Sequence, residues 1–514
     1  MRRLWALALA LLLLTACAAP EEEPEVDWEA YQQELPEESG APAESEEPEL
    51  PAAFTLPYHK DHSLDPVTCG EGIQQDLSSL IYEPLFRLDG NFEPVPVLCE
   101  SFEWDEAGLV CTIRLREDAL FQDGSRVTAK DAAAALNRAA ASERYGYRLR
   151  GMASAAANRR GELIVTLTAP NRGFLALLDI PIVKNGTQER TAPMGSGPYR
   201  FVSDEAGARL EADPNWWQQK ALPLAAIPLV HAKDRDTAMY LFSTRQVELV
   251  TVDPTDDRSA VSGQSENTDR PTTLMQFVGF NTASGVFADP AARAAFSGGI
   301  PREKLVSAQL VGLALPAQFP VSPLSKLYPK DLERPYVPED TLSALRAAGQ
   351  DAGEVKELRF LVSAEDSFHL ASARFIAESL SKLDWRVTVT ALPWEEYLAA
   401  LAAGEFDLYF GEVRLTADWD LTDLLATGGA LNYGGFTDPA MDALLPAFAA
   451  AGDREAAFRV LASQLLSSAP IAPVCFKSYT VLTHPGVVEG MGPSVSSTFF
   501  NLENWRVRLA VGDE

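Results

Sequence analysis

The passage from residue 357 to residue 410 constrains the fold of this chain most, because strand and helix patterns alternate along it. Three segments have the composition of strands: Glu357–Ser363, which should be mostly buried, Arg386–Leu392, which alternates β-branched and polar positions, and Phe406–Phe410. Two segments between them carry apolar residues at helical spacing: Leu370–Leu383 and Glu395–Ala403. A strand–helix–strand–helix–strand order with elements of these lengths requires right-handed crossovers, so the passage predicts a parallel sheet.

Ligands of such sheets bind at the carboxyl ends of the strands. In this chain those ends correspond to Ser363–His369, Leu392–Trp394 and Phe410–Asp418. Strand-like and helical stretches alternate through most of the remaining sequence, which predicts the α/β class. The chain has 514 residues, 46% of them hydrophobic, and can therefore form more than one domain.

Three helices are predicted outside this passage, and two of them carry capping signals. A helix is predicted over Thr128–Ala141, where Thr128 caps the first turn and Asp131 completes an approximate capping box. Two further helices are predicted over Asp438–Ala450 and Asp453–Ser467, the second capped by Asp453. A strand is also predicted over Gly161–Ala169.

The cysteines after residue 17 are spaced too widely for a zinc site or a redox pair, because the chain contains no CxxC. They are Cys69, Cys99, Cys111 and Cys475. A predicted hairpin with its turn at residues 105–108 would place Phe102 opposite Cys111 and leave Cys99 out of register. We therefore expect four buried free thiols.

The N-terminus has the features of an export signal. Arg2 and Arg3 precede an apolar run from Leu4 to Leu14, which is too short to span a bilayer as a mature helix. The following Leu-Thr-Ala and Cys17 resemble a bacterial lipobox, which implies cleavage after residue 16 and acylation of Cys17. The alternative is an ordinary signal with an incidental cysteine. Acyl chains on Cys17 would tether the protein to the extracytoplasmic face of the cell membrane.

Charge is distributed unevenly along the chain. Residues 21–50 contain thirteen Asp or Glu and no Lys or Arg, so residues 17–55 are predicted to form an acidic disordered linker. The net charge of −30 excludes nucleic acid as a partner, because phosphate contacts need a basic surface. Residues 51–514 retain a charge of −19, which favours cationic or zwitterionic ligands over anionic ones.

Enzyme signatures are absent from the sequence. There is no HExxH, GxSxG or Walker loop, and the five histidines are not spaced as a metal cluster. Ser379–Lys382 matches the S-x-x-K pattern of penicillin-recognising enzymes, but no KTG accompanies it, and we interpret the match as chance. The chain is therefore expected to be a binding protein that uses no catalytic residue, cofactor or metal.

A series of segments resembles the family 5 solute-binding proteins of ABC importers, the oligopeptide-, dipeptide- and nickel-binding group, in the order in which the motifs occur there. The segments are Ser63–Pro66, Ile81–Phe86, Pro96–Ser101, Ile113–Arg116, Phe121–Gly124, Thr128–Asp131, Gly195–Tyr199, Asn215–Trp217 and Phe280–Arg293. The likeness extends over about residues 58–510.

The resemblance implies a type II periplasmic-binding-protein-like α/β fold with two lobes and a cleft that closes by a hinge. The expected divisions are a large lobe over 56–250 with an inserted subdomain at about 82–184, a second lobe over 251–477 and a return to the large lobe over 478–514. It also implies a monomer that passes a small solute, most simply a peptide, to an ABC permease.

Asp418 is the first candidate ligand residue. In peptide-binding members an Asp after the corresponding strand pairs with the peptide ammonium, and here Ala417-Asp418-Trp419 occupies that place. The alternative is that Asp418 caps the helix that begins near Leu421.

Further candidates follow from the same resemblance and from the strand ends. Trp394 could form the wall of a side-chain pocket, or simply pack at a strand–helix turn. Arg414 could bind a ligand carboxylate, or pair internally with Glu412, Asp418 or Asp420. The remaining candidates, each with ordinary packing or structural hydrogen bonding as its alternative, are His369, Phe277, Asn281 and Tyr433 in the glycine-rich loop 428–435.

Several functions remain open at this point. A receptor for peptide leads, with nickel, a metal chelate, a sugar or an opine as other solutes of the same fold. A tethered hydrolase using Ser379 and a signalling or adhesion lipoprotein are the alternatives from other classes.

Overall fold

The structure, a computed structural model, describes residues 50–70, 72–255, 264–310, 313–336, 343, 357–381 and 386–510. The predicted signal peptide, Cys17 and most of the predicted linker lie outside these ranges, as do Lys382 and Leu383. Among the helices within them, none combines the length and apolar character that crossing a membrane requires.

The strands are β1 (Leu56–Tyr58), β2 (Glu83–Pro84), β3 (Phe86–Leu88), β4 (Pro94–Pro96), β5 (Cys99–Trp104), β6 (Val110–Leu115), β7 (Met152–Ala157), β8 (Leu163–Leu167), β9 (Pro181–Ile182), β10 (Tyr199–Asp204), β11 (Gly207–Ala212), β12 (Ala226–His231), β13 (Leu249–Val252), β14 (Glu266–Phe280), β15 (Ala314–Pro316), β16 (Glu357–Ser363), β17 (Arg386–Leu392), β18 (Leu408–Arg414), β19 (Ile471–Thr483), β20 (Val488–Glu489) and β21 (Arg506–Val507). The α-helices are α1 (Gly72–Ile81), α2 (Ala129–Ala140), α3 (Arg235–Ser243), α4 (Pro290–Gly298), α5 (Arg302–Leu310), α6 (Ser367–Ser381), α7 (Trp394–Ala403), α8 (Thr422–Leu425), α9 (Pro439–Ala450) and α10 (Arg454–Ser468).

The predicted parallel sheet is confirmed. β16 pairs in parallel with β17 on one side and with β18 on the other, so the three strands stand in the order β17, β16, β18. The bounds of β16 and β17 match the prediction, whereas β18 begins and ends later than predicted. The other edge of β18 pairs antiparallel with β14, and the same sheet continues through β19 to β13. The sheet is therefore mixed rather than wholly parallel.

Two four-stranded sheets form a large part of the remaining scaffold. One has the order β1, β12, β11, β10 and shares a hydrophobic core with α1, including Leu56, Leu77 and Leu210. The other has the order β5, β6, β8, β7 and packs against α2. These layers of helix and sheet fit the type II fold that the resemblance implies.

The predicted hairpin is present as β5 and β6, but its predicted register is wrong. Trp104 lies opposite Cys111, while Phe102 lies opposite Ile113 and Cys99 opposite Leu115. The reason is that Asp105 closes the turn by accepting from the backbone N–H groups of Leu109 and Val110, so β5 runs to Trp104. All four described cysteines are buried free thiols, as predicted.

The predicted helix caps are also confirmed. Thr128 and Asp131 form a capping box at the start of α2, and Asp453 accepts from the N–H of Ala456 at the start of α10. Such caps were predictable because they involve only residues close together in the chain.

Glu83 connects three of the quoted motif segments inside the core. Its carboxylate is fully buried and accepts four hydrogen bonds, from Ser196 Oγ at 2.9 Å, Trp216 Nε1 at 3.2 Å, Trp217 Nε1 at 2.6 Å and Gln218 Nε2 at 2.7 Å. Burial raises the pKa of Glu83, although Arg87 and the hydrogen-bond donors act in the opposite direction. These motif residues therefore stabilise the scaffold.

β14 and β19 are the two longest strands, and we call them the crossing strands because the resemblance places them between the expected lobes. Residues 266–271 of β14 pair with 478–483 of β19, and residues 275–279 pair with 471–476 after a shift in register. At the shift, Thr272 Oγ1 donates to the Lys477 carbonyl at 2.6 Å instead of a regular ladder bond forming. An irregularity in a pair of strands that passes between lobes is a suitable place for a hinge.

Candidate functional site

A cavity of about 870 Å³ lies beside this irregularity. Its wall is formed by α1, by residues 144–148 after α2, by β13 and residues 270–273, by residues 414–417 after β18, and by residues 495–499. Segments far apart in the sequence, including both crossing strands, therefore meet around one space, which is of the size that small-molecule sites have.

The polar part of the wall includes charged side chains of both signs, with arginines in excess. Five arginines line the cavity, against three aspartates, with Tyr145, Tyr147 and Tyr479 among the aromatic residues. The arginines are Arg144, Arg148, Arg235, Arg270 and Arg414. The aspartates are Asp76, Asp179 and Asp253.

Each aspartate already has a cationic partner. Arg270 Nη1 lies 2.6 Å from Asp76 Oδ1, and Arg148 pairs with Asp179. Asp253 lies 3.1 Å from Lys477 Nζ, and its backbone carbonyl accepts from Arg235 Nη2 at 3.2 Å. The acidic groups of the wall are thus compensated by the protein itself.

Lys477 is the centre of a charged cluster behind the cavity. Its side chain is only 4% exposed, and Nζ lies 3.1 Å from Asp253 and 3.3 Å from Glu412. Thr255 Oγ1 accepts from Nζ at 2.9 Å. Burial alone would lower the pKa of Lys477, but Glu412 and Asp253 together raise it, so the group stays charged. This cluster joins β13, β18 and β19 next to the irregular pairing.

A second charged cluster joins the segment after α2 to the segment after β18. Arg150 pairs with Asp420 at 2.8 Å and with Asp423. Tyr147, which lines the cavity, donates its hydroxyl to Asp423 at 2.9 Å. Burial would lower the pKa of Arg150, but the hydrogen bonds to Asp423 and Asp420 raise it. We call this set, Tyr147, Arg150, Asp420 and Asp423, the latch.

The Arg150→Ala variant is expected to open the protein without unfolding it. Because Arg150 is partly exposed, its ion pairs contribute about 1 kcal/mol or less, which corresponds to a change of roughly fivefold in the ratio of closed to open forms. Small-angle X-ray scattering of the ligand-free protein should show a larger radius of gyration.

The control for this experiment is Arg459→Ala, which removes an exposed pair with Asp331 between α10 and a neighbouring turn of the same lobe. Equal scattering from the two variants would contradict a role of the latch in closure.

Of the seven sequence-predicted ligand residues, Arg414 alone lines the cavity. The internal ion pairs that were its alternative do not form among the described residues. Glu412 instead pairs with Lys477, Asp420 with Arg150, and Asp418 accepts from Asn171. Arg414 Nη2 donates to the Tyr479 hydroxyl at 2.9 Å.

Asp418 lies behind the wall rather than on it. Its side chain is buried, and Oδ2 accepts from Asn171 Nδ2 at 2.7 Å, while its backbone carbonyl accepts from Arg454. The capping alternative is wrong, because Asp420 rather than Asp418 accepts from the N–H of Thr422 at 2.9 Å. The structure does not bring Asp418 to the cavity wall. Its pairing with a ligand ammonium stays a prediction.

His369 and Trp394 also lie away from the cavity. His369 is buried near the start of α6, with Nδ1 3.3 Å from Asp366 and its ring 5.1 Å from that of Phe410. Burial lowers the pKa of His369, against the effect of Asp366. Trp394 begins α7, is 49% exposed and stacks on Tyr397 at 5.8 Å. Both positions agree with the structural alternatives given for these residues.

Phe277, Asn281 and Tyr433 likewise make structural contacts. Phe277 is buried with its ring 5.7 Å from that of Tyr409, and Tyr433 lies 6.2 Å from the same ring. Asn281 Nδ2 donates to the carbonyls of Gly404 at 3.2 Å and Phe406 at 3.0 Å. Packing and backbone hydrogen bonding therefore account for these positions.

Ser379 does not line the cavity, and its hydroxyl donates to the carbonyl of Phe375 in its own helix at 2.9 Å. Among the described residues, no group of three or more His, Cys, Asp and Glu side chains is placed to hold a metal ion.

Sequence reasoning missed the arginines that line the cavity near the insertion. The stretch Arg144-Tyr145-Gly146-Tyr147-Arg148-Leu149-Arg150 repeats arginine and tyrosine directly after a capped helix. Such a stretch combines fixed cations with rigid aromatic surfaces, and it was the signal that could have indicated this wall.

Comparisons with known proteins agree with this architecture. The sequence model of the bacterial extracellular solute-binding proteins, family 5 (middle region), matches residues 93–430. The glutathione-binding protein GsiB of Salmonella typhi is 25% identical over 395 residues, which cover 71% of this chain and 76% of that protein.

Solved structures show the same fold. HbpA2 of Haemophilus parasuis superposes with a TM-score of 0.75 at 19% identity, covering 89% of this chain and all of that one. The nickel ABC transporter protein of Bacillus halodurans superposes with a TM-score of 0.74 at 20% identity, covering 88% of this chain and 98% of that one.

Proposed function

Since this chain belongs to family 5 of the bacterial extracellular solute-binding proteins, we propose that it captures a small peptide outside the cytoplasm and delivers it to an ABC permease. The observation that carries the proposal is the cavity of about 870 Å³ enclosed by both lobes beside the irregular crossing strands. Closing such a cleft desolvates the ligand and strengthens its polar contacts.

The composition of the wall favours a peptide over other solutes of this fold. Arginine side chains match carboxylate groups through paired N–H donors, and tyrosine side chains provide both aromatic surface and a hydroxyl group. Every peptide has a terminal carboxylate. The similarity to GsiB, whose name describes a glutathione-binding protein, makes a short peptide of that size the first ligand to test.

We further propose that the chain is a monomeric lipoprotein, cleaved after residue 16 and anchored through Cys17, with the lobe boundaries given by the resemblance. The acidic residues 17–55 would separate the binding domain from the anionic membrane surface. Mass spectrometry of the N-terminal peptide tests the anchor, because that peptide would carry acyl chains on Cys17.

The function is tested by native mass spectrometry of the purified full chain, followed by calorimetric titration of the protein after its bound solute has been removed. We expect a peptide to co-purify and glutathione or a tripeptide to bind and raise the melting temperature. Titrations with nickel chloride and with glucose serve as comparison. Binding of either of these with no binding of any peptide would contradict the proposal.

A further inference from the structure

The charge on the cavity wall opposes the charge of the protein. The chain carries −30, and residues 51–514 carry −19. The cavity nevertheless has five arginines against three aspartates. The sequence-based expectation of a cationic or zwitterionic ligand rested on the overall charge, and the local excess has the opposite sign.

The acidic side chains that line the cavity are already paired with cations of the protein. Asp76 and Asp179 are held by Arg270 and Arg148, and Asp253 is held by Lys477. A ligand ammonium would have to displace one of these cations, because each acidic group that lines the cavity already has one.

Arg144 lines the cavity and has no carboxylate within ion-pair distance in the described part of the chain. Nη1 donates to the Cys69 carbonyl at 2.9 Å, and the guanidinium lies 5.0 Å from the centre of the Tyr145 ring. These contacts fix the direction of the side chain but use few of its five N–H donors. The guanidinium is therefore oriented before a ligand arrives.

Arg414 likewise has no carboxylate within ion-pair distance among the described residues. It lies at the end of β18, in the second lobe, and its Nη2 group donates to Tyr479 on a crossing strand at 2.9 Å. Its side chain is exposed to the cavity and retains further donors. Arg144 and Arg414 thus present two cationic groups to the cavity from segments far apart in the sequence, one after α2 and one at the end of β18.

We propose that the cleft selects an acidic peptide, one with at least two carboxylates, and that Arg144 and Arg414 each bind one of them. A ligand that reaches both residues connects the insertion of the large lobe to the second lobe, so recognition and closure are coupled. A neutral peptide, with a single carboxylate, can occupy only one of the two sites. This inference rests on the proposed capture of peptides.

The experiment compares three peptides of equal length by calorimetric titration of the full chain: Ala-Glu-Ala, Ala-Gln-Ala and Ala-Lys-Ala. We expect Ala-Glu-Ala to bind roughly 30-fold more tightly than Ala-Gln-Ala, because the extra carboxylate gains a guanidinium partner in a closed site. Ala-Lys-Ala should bind more weakly than either.

Substitution of each of the two arginines tests whether it binds a ligand carboxylate. Arg144→Gln and Arg414→Gln should each reduce the preference for Ala-Glu-Ala over Ala-Gln-Ala, whereas a purely structural role would weaken both peptides equally. Arg374→Gln, on the exposed face of α6 outside the cavity, is the matched control and should leave the preference unchanged.

The outcomes separate the two proposals. Equal or tighter binding of Ala-Gln-Ala to the unmodified protein would overturn the selection of acidic peptides while leaving peptide capture intact. Failure of all three peptides, and of glutathione, would overturn peptide capture itself. A preference for Ala-Glu-Ala that both variants retain would overturn the assignment to Arg144 and Arg414.

Discussion

Replacing Glu83 by alanine is expected to destabilise the folded protein by about 3–5 kcal/mol. The substitution removes the acceptor of four hydrogen bonds and leaves donors from Trp216, Trp217 and Gln218 buried without partners. The midpoint of urea denaturation, followed by tryptophan fluorescence, measures the change. Because Glu83 does not line the cavity, ligand affinity should be unchanged at temperatures where the variant is folded.

The Glu83→Gln variant is a milder change in the same hydrogen-bond network. Oε1 accepts from Trp216 and Gln218, while Oε2 accepts from Ser196 and Trp217, so an amide in either orientation leaves one indole N–H, that of Trp216 or that of Trp217, without an acceptor. We therefore expect an effect of about half the size. Glu103→Ala, at an exposed position of β5, is the control and should change stability little. Equal stabilities of Glu83→Ala and Glu103→Ala would show that the network does not hold the scaffold together.

Elements defined by neighbouring residues were predicted well from the sequence. The bounds of β16 and β17 follow from composition and alternation, and the caps at Thr128 and Asp453 follow from residues within one helical turn. The register of the hairpin was not predictable to the residue, because it depends on which hydrogen bonds Asp105 makes in the turn.

The site was less predictable, since its residues come from distant parts of the chain. Asp418 has the position in sequence that a ligand residue should have, yet Asn171, 247 positions away, holds its carboxylate inside the protein. Whether an aspartate after a strand faces a cleft or the interior depends on such partners, which no local pattern contains. Arg414 was proposed because it follows a predicted strand and its guanidinium matches a carboxylate, and the structure shows each acid of its alternative ion pairs engaged elsewhere.

Replacing Lys477 by methionine is expected to destabilise the protein by about 3–5 kcal/mol, because it leaves Asp253 and Glu412 close together without the buried cation between them. The measurement is again the urea midpoint, here combined with scattering of the ligand-free protein. Since the cluster joins β13, β18 and β19 at the irregular pairing, the loss should also alter closure. Lys130→Met, on the exposed face of α2, is the control.

The double variant Lys477→Met with Glu412→Gln distinguishes charge from packing. If uncompensated charge causes the loss, neutralising Glu412 should recover roughly 1–2 kcal/mol, and the two substitutions should be non-additive. Glu412 also accepts from Gln276 Nε2 at 2.5 Å, and a Gln side chain at position 412 can still offer an oxygen to that donor. Additive losses would instead mean that the methylene chain of Lys477, rather than its charge, stabilises the crossing strands. In that case the charges around Lys477 would not control the irregular pairing of the crossing strands. Closure would then depend on the latch and on the ligand.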